Sequence, residues 1–306
     1  MALFAIVMAF LLEQVRPLAP DSQAAMGLHR WVRAIGRNVD AGGAQHGGLA
    51  WALAVVLPTL AAVAGYWLLG WLAGWPLQLA LSVFVLYLTL GFRQFSQHFS
   101  GIREALETGD EERACVLLAR WRQVDAVAQP RSEIVRHVIE YSVLSAHRQV
   151  FGVLLWFCLL AVLGLGPAGA VLYSNAAFAL RYWHRRLQAA GHPVSPALVQ
   201  VTERAWYALD WLPAHCTALG FAVVGSFEDA VDVWRNHAAR FANTNDGALL
   251  AATAGALGVR LGGAALDLPG KPPGAEHLTQ VVGMLWRTVA LWLLLLVLLT
   301  LARVMG

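Results

Sequence analysis

The sequence predicts an all-α integral membrane protein. The expected architecture is a polytopic helical bundle with about four to five spanning helices, short re-entrant or interfacial helices and a cytoplasmic helical hairpin. Three observations carry this. Hydrophobic side chains make up 58% of the 306 residues and charged ones only 13%, where soluble domains carry about 25%. Gly47 to Phe92 holds no charged residue, far more than the roughly 20 apolar residues that one spanning helix needs. Further uncharged blocks alternate with short Arg-rich stretches.

The first apolar run, residues 2–12, is shorter than a full span and meets Glu13 and Arg16. It reads as a partly inserted helix whose charged end reaches the interface. It lacks the basic start and small-residue cleavage site of a secretory signal. Residues 17–46 are polar, with Arg30, Arg33 and Arg37 at helical spacing, and the Gly/Ala/Gln/His cluster at 41–48 breaks the pattern. Residues 49–73 form the first expected span, with Pro58 as a kink of the kind membrane helices tolerate. Gly74-Trp75-Pro76 is a turn signal, and Trp67, Trp71 and Trp75 resemble an interfacial aromatic belt. Residues 77–92 follow as a second, shorter span.

Residues 93–149, expected as a soluble helical insert, hold eight Arg and eight acidic residues. "IREALETGDEERACVLLARW" reads as two helices joined at Thr108-Gly109-Asp110, with Glu111 and Glu112 favouring a helix start. Pro130 ends this unit, and Ser132 with Glu133 can begin a helix toward the membrane. Residues 150–165 and 168–180 are the next expected spans, divided by Gly164 and Gly166-Pro167. The basic cluster Arg181, Arg185 and Arg186, like the 93–149 insert, is expected on the cytoplasmic side by the positive-inside rule. Residues 211–224 form a short apolar element. Ser226 with Asp229 has capping-box character. A last span is expected at 284–303, where Arg287 can snorkel to the interface.

Several function classes are disfavoured. The net charge of +3 is small and dispersed, so nucleic acid is not an expected partner. Lys271 is the only Lys, which argues against Lys-based covalent chemistry. Cys115, Cys158 and Cys216 lie far apart and suggest neither a disulfide framework nor zinc. The ten histidines include no H-x-x-x-H or H-E-x-x-H pair, so no metal is expected. No Walker loop or G-x-G-x-x-G follows a strand. Glycine- and proline-interrupted helices would suit a transporter, but the two halves show no matching repeat.

Four clusters remain as candidate chemistry. Glu140, His147 and Arg148 precede the 150–165 span. Arg136 and Glu140 stand at i,i+4 and can simply pair on a wet surface. Alternatively, His147 and Arg148 bind an anionic ligand at the membrane boundary, since ionisable groups there are costly. Asp210, in "ALDWLPAHC", precedes an apolar segment, and a helix-capping role explains it cheaply. Glu228, Asp229 and Asp232 could hold Mg²⁺, although acids are expected in a first helical turn anyway. Finally, "TNDGALLAATAGALGVRLGG" reads as a helix from about Gly247 to Leu261, capped by Asn245 or Asp246. Its Ala254, Gly258 and Gly262 give a small-residue packing face, Arg260 lies at its C-terminal end, and Gly262-Gly263 stops it.

That last stretch, "AGALGVRLGG" with the upstream Asn245 and Gly247, resembles the C-terminal motif of the CobD/CbiB cobalamin-biosynthesis membrane proteins. The resemblance covers most of the chain and implies a single membrane domain over 1–306. "AFLLEQVRP" is similar to the family's N-terminal helix, with Glu13 where an Asp is usual. "REALETGDEERACVLLARWRQVD" is similar to its helical hairpin, with Asp125 matching an Arg-Asp motif and Val124 replacing the Arg. "GPAGAVLY" and "ALDWLPAHCTAL" fall in the expected order. The resemblance implies a bacterial inner-membrane, multi-pass protein. It also implies an activity that joins an aminopropanol phosphate to adenosylcobyric acid, an ATP-dependent amide-forming ligation. From the residues and the resemblance together, the ligand-binding candidates are Glu13, Asp125, Glu140, His147, Arg148, Asp210, Asn245, Gly247 and Arg260; no residue is assigned a catalytic role.

The departures matter as much. "LSAHRQVFGVLLW" replaces the family's Glu-Asn-x-x-Asp pattern, "AAFAL" follows Ser174 and Asn175 where Asn-Thr-x-Asp is usual, and Trp206 and Tyr207 stand where the family has two Asp. These losses, with "LDWLP" and the segment from Arg148 to Trp156, resemble AmpE, a related inner-membrane protein associated with β-lactamase regulation. The first expectation is therefore an AmpE-like divergent member with a regulatory or ligand-sensing role. The alternative is an adenosylcobinamide-phosphate synthase-type enzyme. ATP and Mg²⁺ are expected cofactors only under the ligase reading. The lipid bilayer is the expected partner, with a corrinoid or another anionic small molecule as candidate ligand. A membrane-protein partner or a second copy is left open.

Overall fold

The structure is a computed structural model that describes residues 2–15, 23–122, 129–188 and 194–305. In chain order its helices are α1 (Ala2–Val15), α2 (Gln23–Asn38), α3 (Ala44–Trp51), α4 (Leu57–Ala73), α5 (Trp75–Thr89), α6 (Phe92–Glu107) and α7 (Glu111–Arg122). They continue with α8 (Arg131–Ala146), α9 (Gly152–Val162), α10 (Ala168–Gln188), α11 (Pro196–Val224), α12 (Phe227–His237), α13 (Thr244–Leu257) and α14 (Ala275–Met305). Among the described residues there is no strand, only one isolated parallel bridge between Val259 and Lys271. The protein is an all-α membrane protein, as its composition predicts.

Local chemistry sets most boundaries. Gly74 turns the chain between α4 and α5 at φ +74°. Gly109, at φ +78°, sits in the turn between α6 and α7, where Asp110 Oδ1 accepts the Arg113 amide at 2.9 Å. Pro130 is the N-cap of α8. A π turn at Ala52–Val56 joins α3 to α4 just before Pro58. The widened turn falls where the proline's missing amide interrupts the helical ladder.

Elsewhere the helices run past the limits that charge counting suggests. Residues 150–165 do not begin a separate helix, because α8 passes through a second π turn, His147–Phe151, into α9. The apolar stretch 211–224 is the end of the 29-residue α11. The second apolar helix stops at Thr89, where Leu90 turns extended at ψ 142°. The reason is general. Backbone ladders ignore side-chain charge, so an apolar run marks what a helix meets and not where it starts.

Three helical stretches are long and apolar enough to cross a membrane: Ala44–Ala73, Arg131–Val162 and Ala275–Ala302. Ala2–Val15 and Trp75–Thr89 are shorter apolar helices. Large apolar side chains face outward along α4 and α14, including Trp71 at 83% exposure and Leu299 at 67%. A contiguous apolar exterior of this kind is costly in water and suits lipid.

The chain divides into two compact units. The first comprises 1–91 and 148–211. In it α1 and α4 pack on α5, and α9 packs on α10. Ile6, Leu86, Val153, Phe157, Trp183 and Trp206 are buried there. The second comprises 92–147 and 212–306. There α8 contacts α6, α7, α13 and α14, and α12 pairs closely with α13. Asn245 and Gly247–Gly255 are all buried, so α13 has no wet face. A short helix whose only charged residue is Asp246, too short to cross a bilayer, is thus a core element of this unit.

Candidate functional site

The second unit contains the most organised polar cluster. Glu133, Arg136 and Glu140 stand at i, i+3 and i+7 on α8, so all three share one face. The Arg136 fork divides between the two acids: one Nη bonds Glu140 Oε1 at 2.8 Å and the other bonds Glu133 Oε2. Arg136 and Glu140 side chains are only 11% and 15% exposed, so this is a largely buried pair and not the wet surface pair that spacing alone suggests. His137 Nδ1 comes within 3.6 Å of Glu140 Oε2. Glu140 Oε1 also accepts the backbone amide of Gly262 at 2.7 Å.

That bond fixes the segment after α13. Asn243 is the N-cap of this helix, and its side chain accepts the Asn245 amide at 3.0 Å. Capping by Asn245 or Asp246 is therefore corrected: both lie inside the first turn. The helix ends at Leu257 with Gly258 left-handed at φ +63°, a conformation that glycine adopts without a Cβ penalty. Arg260 therefore lies beyond the helix. Its amide donates to the Lys271 carbonyl at 2.8 Å, and Lys271 donates back to Gly258 at 2.9 Å. The small-residue face of Ala254, Gly258 and Gly262 does not form, because only Ala254 is helical. Close approach falls instead at Gly247, where a Cβ would strike the Ala238 carbonyl and stand 3.0 Å from Phe241 Cβ.

Gly262 and Gly263 adopt φ +81° and +78°. The Arg136 guanidinium lies beside Gly263, its carbon 3.6 Å from where a Cβ would stand. Arg260 is exposed. The unit thus presents an exposed guanidinium on a short loop, with that loop pinned from beneath by a buried carboxylate. Such a cation can grip a phosphate or carboxylate in bidentate fashion.

The other candidates are placed as follows. His147 is fully buried and its Nδ1 lies 3.0 Å from Thr217 Oγ1 in the same unit. It lies in the interior of that unit. Its place in a π turn is notable, since such turns recur at functional positions. Arg148 follows it, half-buried, in the first unit. Glu13 is buried on α1, also in the first unit. Asp125 lies outside the described residues.

Asp210 is not a helix cap. It sits inside α11, fully buried, and accepts the Tyr173 hydroxyl at 2.6 Å. The helix continues through Pro213, which has no amide to give the Leu209 carbonyl. Trp156 Nε1 takes that carbonyl at 3.1 Å, so the proline is accommodated without a break. Trp206, where the resembled family has an acid, is buried against Tyr173 at 5.0 Å between ring centroids. In the acidic turn of α12, Ser226 donates to Asp229 Oδ2 at 2.6 Å and Asn236 donates to Asp232 Oδ1 at 2.9 Å. Among the described residues no group of three or more His, Cys, Asp or Glu is placed to hold a metal ion.

Sequence reasoning found Glu140, Arg260 and the i,i+4 partner Arg136 separately. It missed that Gly262 closes on Glu140, and it missed Thr217, Tyr173 and Trp156. The Glu133-Arg136-Glu140 spacing was the one signal available. No local pattern announces a bond between residues 122 apart in sequence.

Two curated relatives span most of the chain. One is a cobalamin biosynthesis protein CobD from Stutzerimonas stutzeri (strain A1501), 32% identical over 272 residues, covering 82% of this chain and 81% of the relative. The other carries the same name and comes from Chromobacterium violaceum. It is 31% identical over 309 residues, covering 93% of this chain and 92% of the relative. Neither lends support to an AmpE-like role. No family model matches the chain. No solved structure matches it.

Proposed function

Because this chain belongs to the CobD/CbiB family of cobalamin-biosynthesis membrane proteins, we propose that it serves the amide-forming step of that pathway at the bacterial inner membrane, as a multi-pass protein. The reaction is the one the family resemblance implies: an amide bond between a corrinoid carboxylate and the amine of an aminopropanol phosphate. The observation that carries this reading is the Glu140–Gly262 bond at 2.7 Å, which holds the loop bearing Arg260. The exposed Arg260 grips an anionic group, the aminopropanol phosphate or a corrinoid side-chain carboxylate. Glu140 and Arg136 act beneath it as positioning residues.

Among the described residues no group of three or more His, Cys, Asp or Glu is placed for a metal ion; in the proposed reaction ATP would be the co-substrate that activates the corrinoid carboxylate, whose oxygen would leave on a phosphate as the amine forms the amide. An AmpE-like regulatory role remains the second reading, favoured by Trp206 and Tyr207 at positions where the resembled family is acidic.

Two measurements separate the readings. In a strain that lacks its own amide-forming protein and needs added cobinamide, this gene should restore cobalamin synthesis. The purified chain with adenosylcobyric acid, aminopropanol phosphate and MgATP should yield adenosylcobinamide phosphate. Failure of both, where an established member succeeds, rejects the ligase reading and leaves the regulatory one.

A further inference from the structure

In the second unit, the segment from Gly258 to Lys271 is a closed loop. At its neck the Arg260 amide donates to the Lys271 carbonyl at 2.8 Å, and the Lys271 amide donates to the Gly258 carbonyl at 2.9 Å. The closure is tight: a Cβ at Gly270 would stand 2.8 Å from the Val259 carbonyl carbon. Glu140 holds the loop at Gly262. A further anchor comes from the short turn Ala238–Arg240 that follows α12. There one Nη of Arg240 donates to the Leu266 carbonyl at 3.3 Å. Phe241, the next residue, closes with Leu266 on Gly262, its ring 3.1 Å from where a Cβ would stand. Arg240 and Arg260 thus border the same loop.

Arg240 does little as a structural residue. A guanidinium carries five N–H donors, and among the described residues the Leu266 carbonyl is the one acceptor that Arg240 meets. That bond is longer than the roughly 2.7–2.9 Å of a charge-assisted hydrogen bond. Arg240 and Arg260 are both exposed, and among the described residues neither forms an ion pair. Asp267 is the one acid between Gly258 and Lys271, so the cations around the loop outnumber it. Lys271 is a third cation, but it pairs with Val259 in a parallel bridge. Its side chain therefore takes the same side of the backbone as Val259, and Arg260 takes the other.

Two guanidiniums on one pinned loop suit one kind of anion better than another. A carboxylate offers a single charge and two oxygens, which one arginine fork satisfies. A phosphate monoester carries about 1.5 to 2 negative charges at pH 7 and three acceptor oxygens. It leaves both charge and oxygens for a second fork.

We infer that Arg240 is the second binding residue of the Arg260 site, and that the two guanidiniums grip the phosphate monoester of the amine substrate and not a corrinoid carboxylate. The identity of that substrate rests on the amide-forming reading above. Arg240 turns from the Leu266 carbonyl to the phosphate, and the loop stays held by Glu140 and by its own neck.

The test is thermal unfolding of the full chain in detergent, titrated with aminopropanol phosphate, unphosphorylated aminopropanol or MgATP. Aminopropanol phosphate should raise the melting temperature, because it binds the folded state, and aminopropanol should not. In Arg240→Gln the concentration that gives half of this rise should increase about ten-fold or more, the loss of one charged hydrogen-bonded contact. Lys271→Gln removes the same charge from the other side of the bridge and should change that concentration by less than about three-fold. If Arg240→Gln does not fold, Arg240→Lys keeps the charge without the fork and should still weaken binding several-fold. Equal losses in the Arg240 and Lys271 variants would overturn the grip in favour of diffuse charge. No rise with aminopropanol phosphate, an equal rise with aminopropanol, or a stronger Arg240 dependence for MgATP would overturn it too. Turnover is read separately. Amide product from the wild type with unchanged binding in Arg240→Gln keeps the ligase reading and rejects this site; Arg240-dependent binding without amide product does the reverse.

Discussion

The carboxylate of Glu140 and the backbone amide of Gly262 meet at 2.7 Å across 122 residues of sequence. The same carboxylate holds Arg136 at 2.8 Å, so one side chain ties the ion pair on α8 to the loop that carries Arg260. Removing it leaves Arg136 and a loop amide without this acceptor. Glu140→Ala should destabilise the protein by about 2–4 kcal/mol, read as a lower melting temperature in detergent, and should abolish cobalamin complementation. Glu140→Gln keeps an acceptor for Gly262 and should lose less of both. If the two variants match wild type, the clamp is idle.

Arg260 is exposed and bonds Lys271 only through its backbone. Arg260→Ala should therefore leave the unfolding free energy within about 0.5 kcal/mol of wild type. It should nonetheless lower synthesis by ten-fold or more, on the order of the loss of one charged hydrogen-bonded contact. Arg260→Lys should recover only part, because an ammonium cannot make the fork. Full activity in Arg260→Ala would remove this residue from the site.

Trp156 supplies the hydrogen bond that Pro213 cannot. Trp156→Phe leaves the Leu209 carbonyl without that donor and should cost about 1–2 kcal/mol beyond the loss of packing. Pro213→Ala restores a backbone amide that can reach Leu209, so it should offset part of that loss in the Trp156→Phe background. Comparing the four proteins by thermal unfolding isolates the coupling. Strict additivity would mean the indole contributes by packing alone.

Acid should weaken the fold. His29 is held below its ordinary pKa of 6.5 by burial and by Arg185 and Arg33, and His98 is held below 6.5 by burial. The unfolded chain therefore takes up protons more readily at both positions. Stability is full above about pH 6.5 and declines as pH falls below it. A melting-temperature profile between about pH 7 and pH 5 should slope less in His29→Gln and in His98→Gln. Parallel profiles would assign the acid sensitivity to other groups.

Much of the fold was legible because it rests on local rules. The apolar runs marked α4 and α14, Thr108-Gly109-Asp110 marked the turn before α7, and Pro130 marked the start of α8. Helix limits inside long charged-to-apolar stretches were not legible. At α8–α9 and along α11 the backbone ladder continues where hydropathy changes. Asp210 was misread for a related reason. Pro213 looks like a helix start, and only the Trp156 indole, from a helix distant in sequence, makes it an interior residue.

By itself, the sequence determined the membrane class, the helical content and the family, because hydrophobic periodicity, glycine and proline placement and motif order are properties of a chain read locally. The tertiary structure decided which candidates act together. It took His147 into the interior with Thr217, gave Asp210 to Tyr173 and Gly247 to close packing. It left Arg260 exposed on a loop held by Glu140. Hydrogen bonds and burial depend on distances in space, and residues 122 apart in sequence carry no local signal of standing 2.7 Å apart.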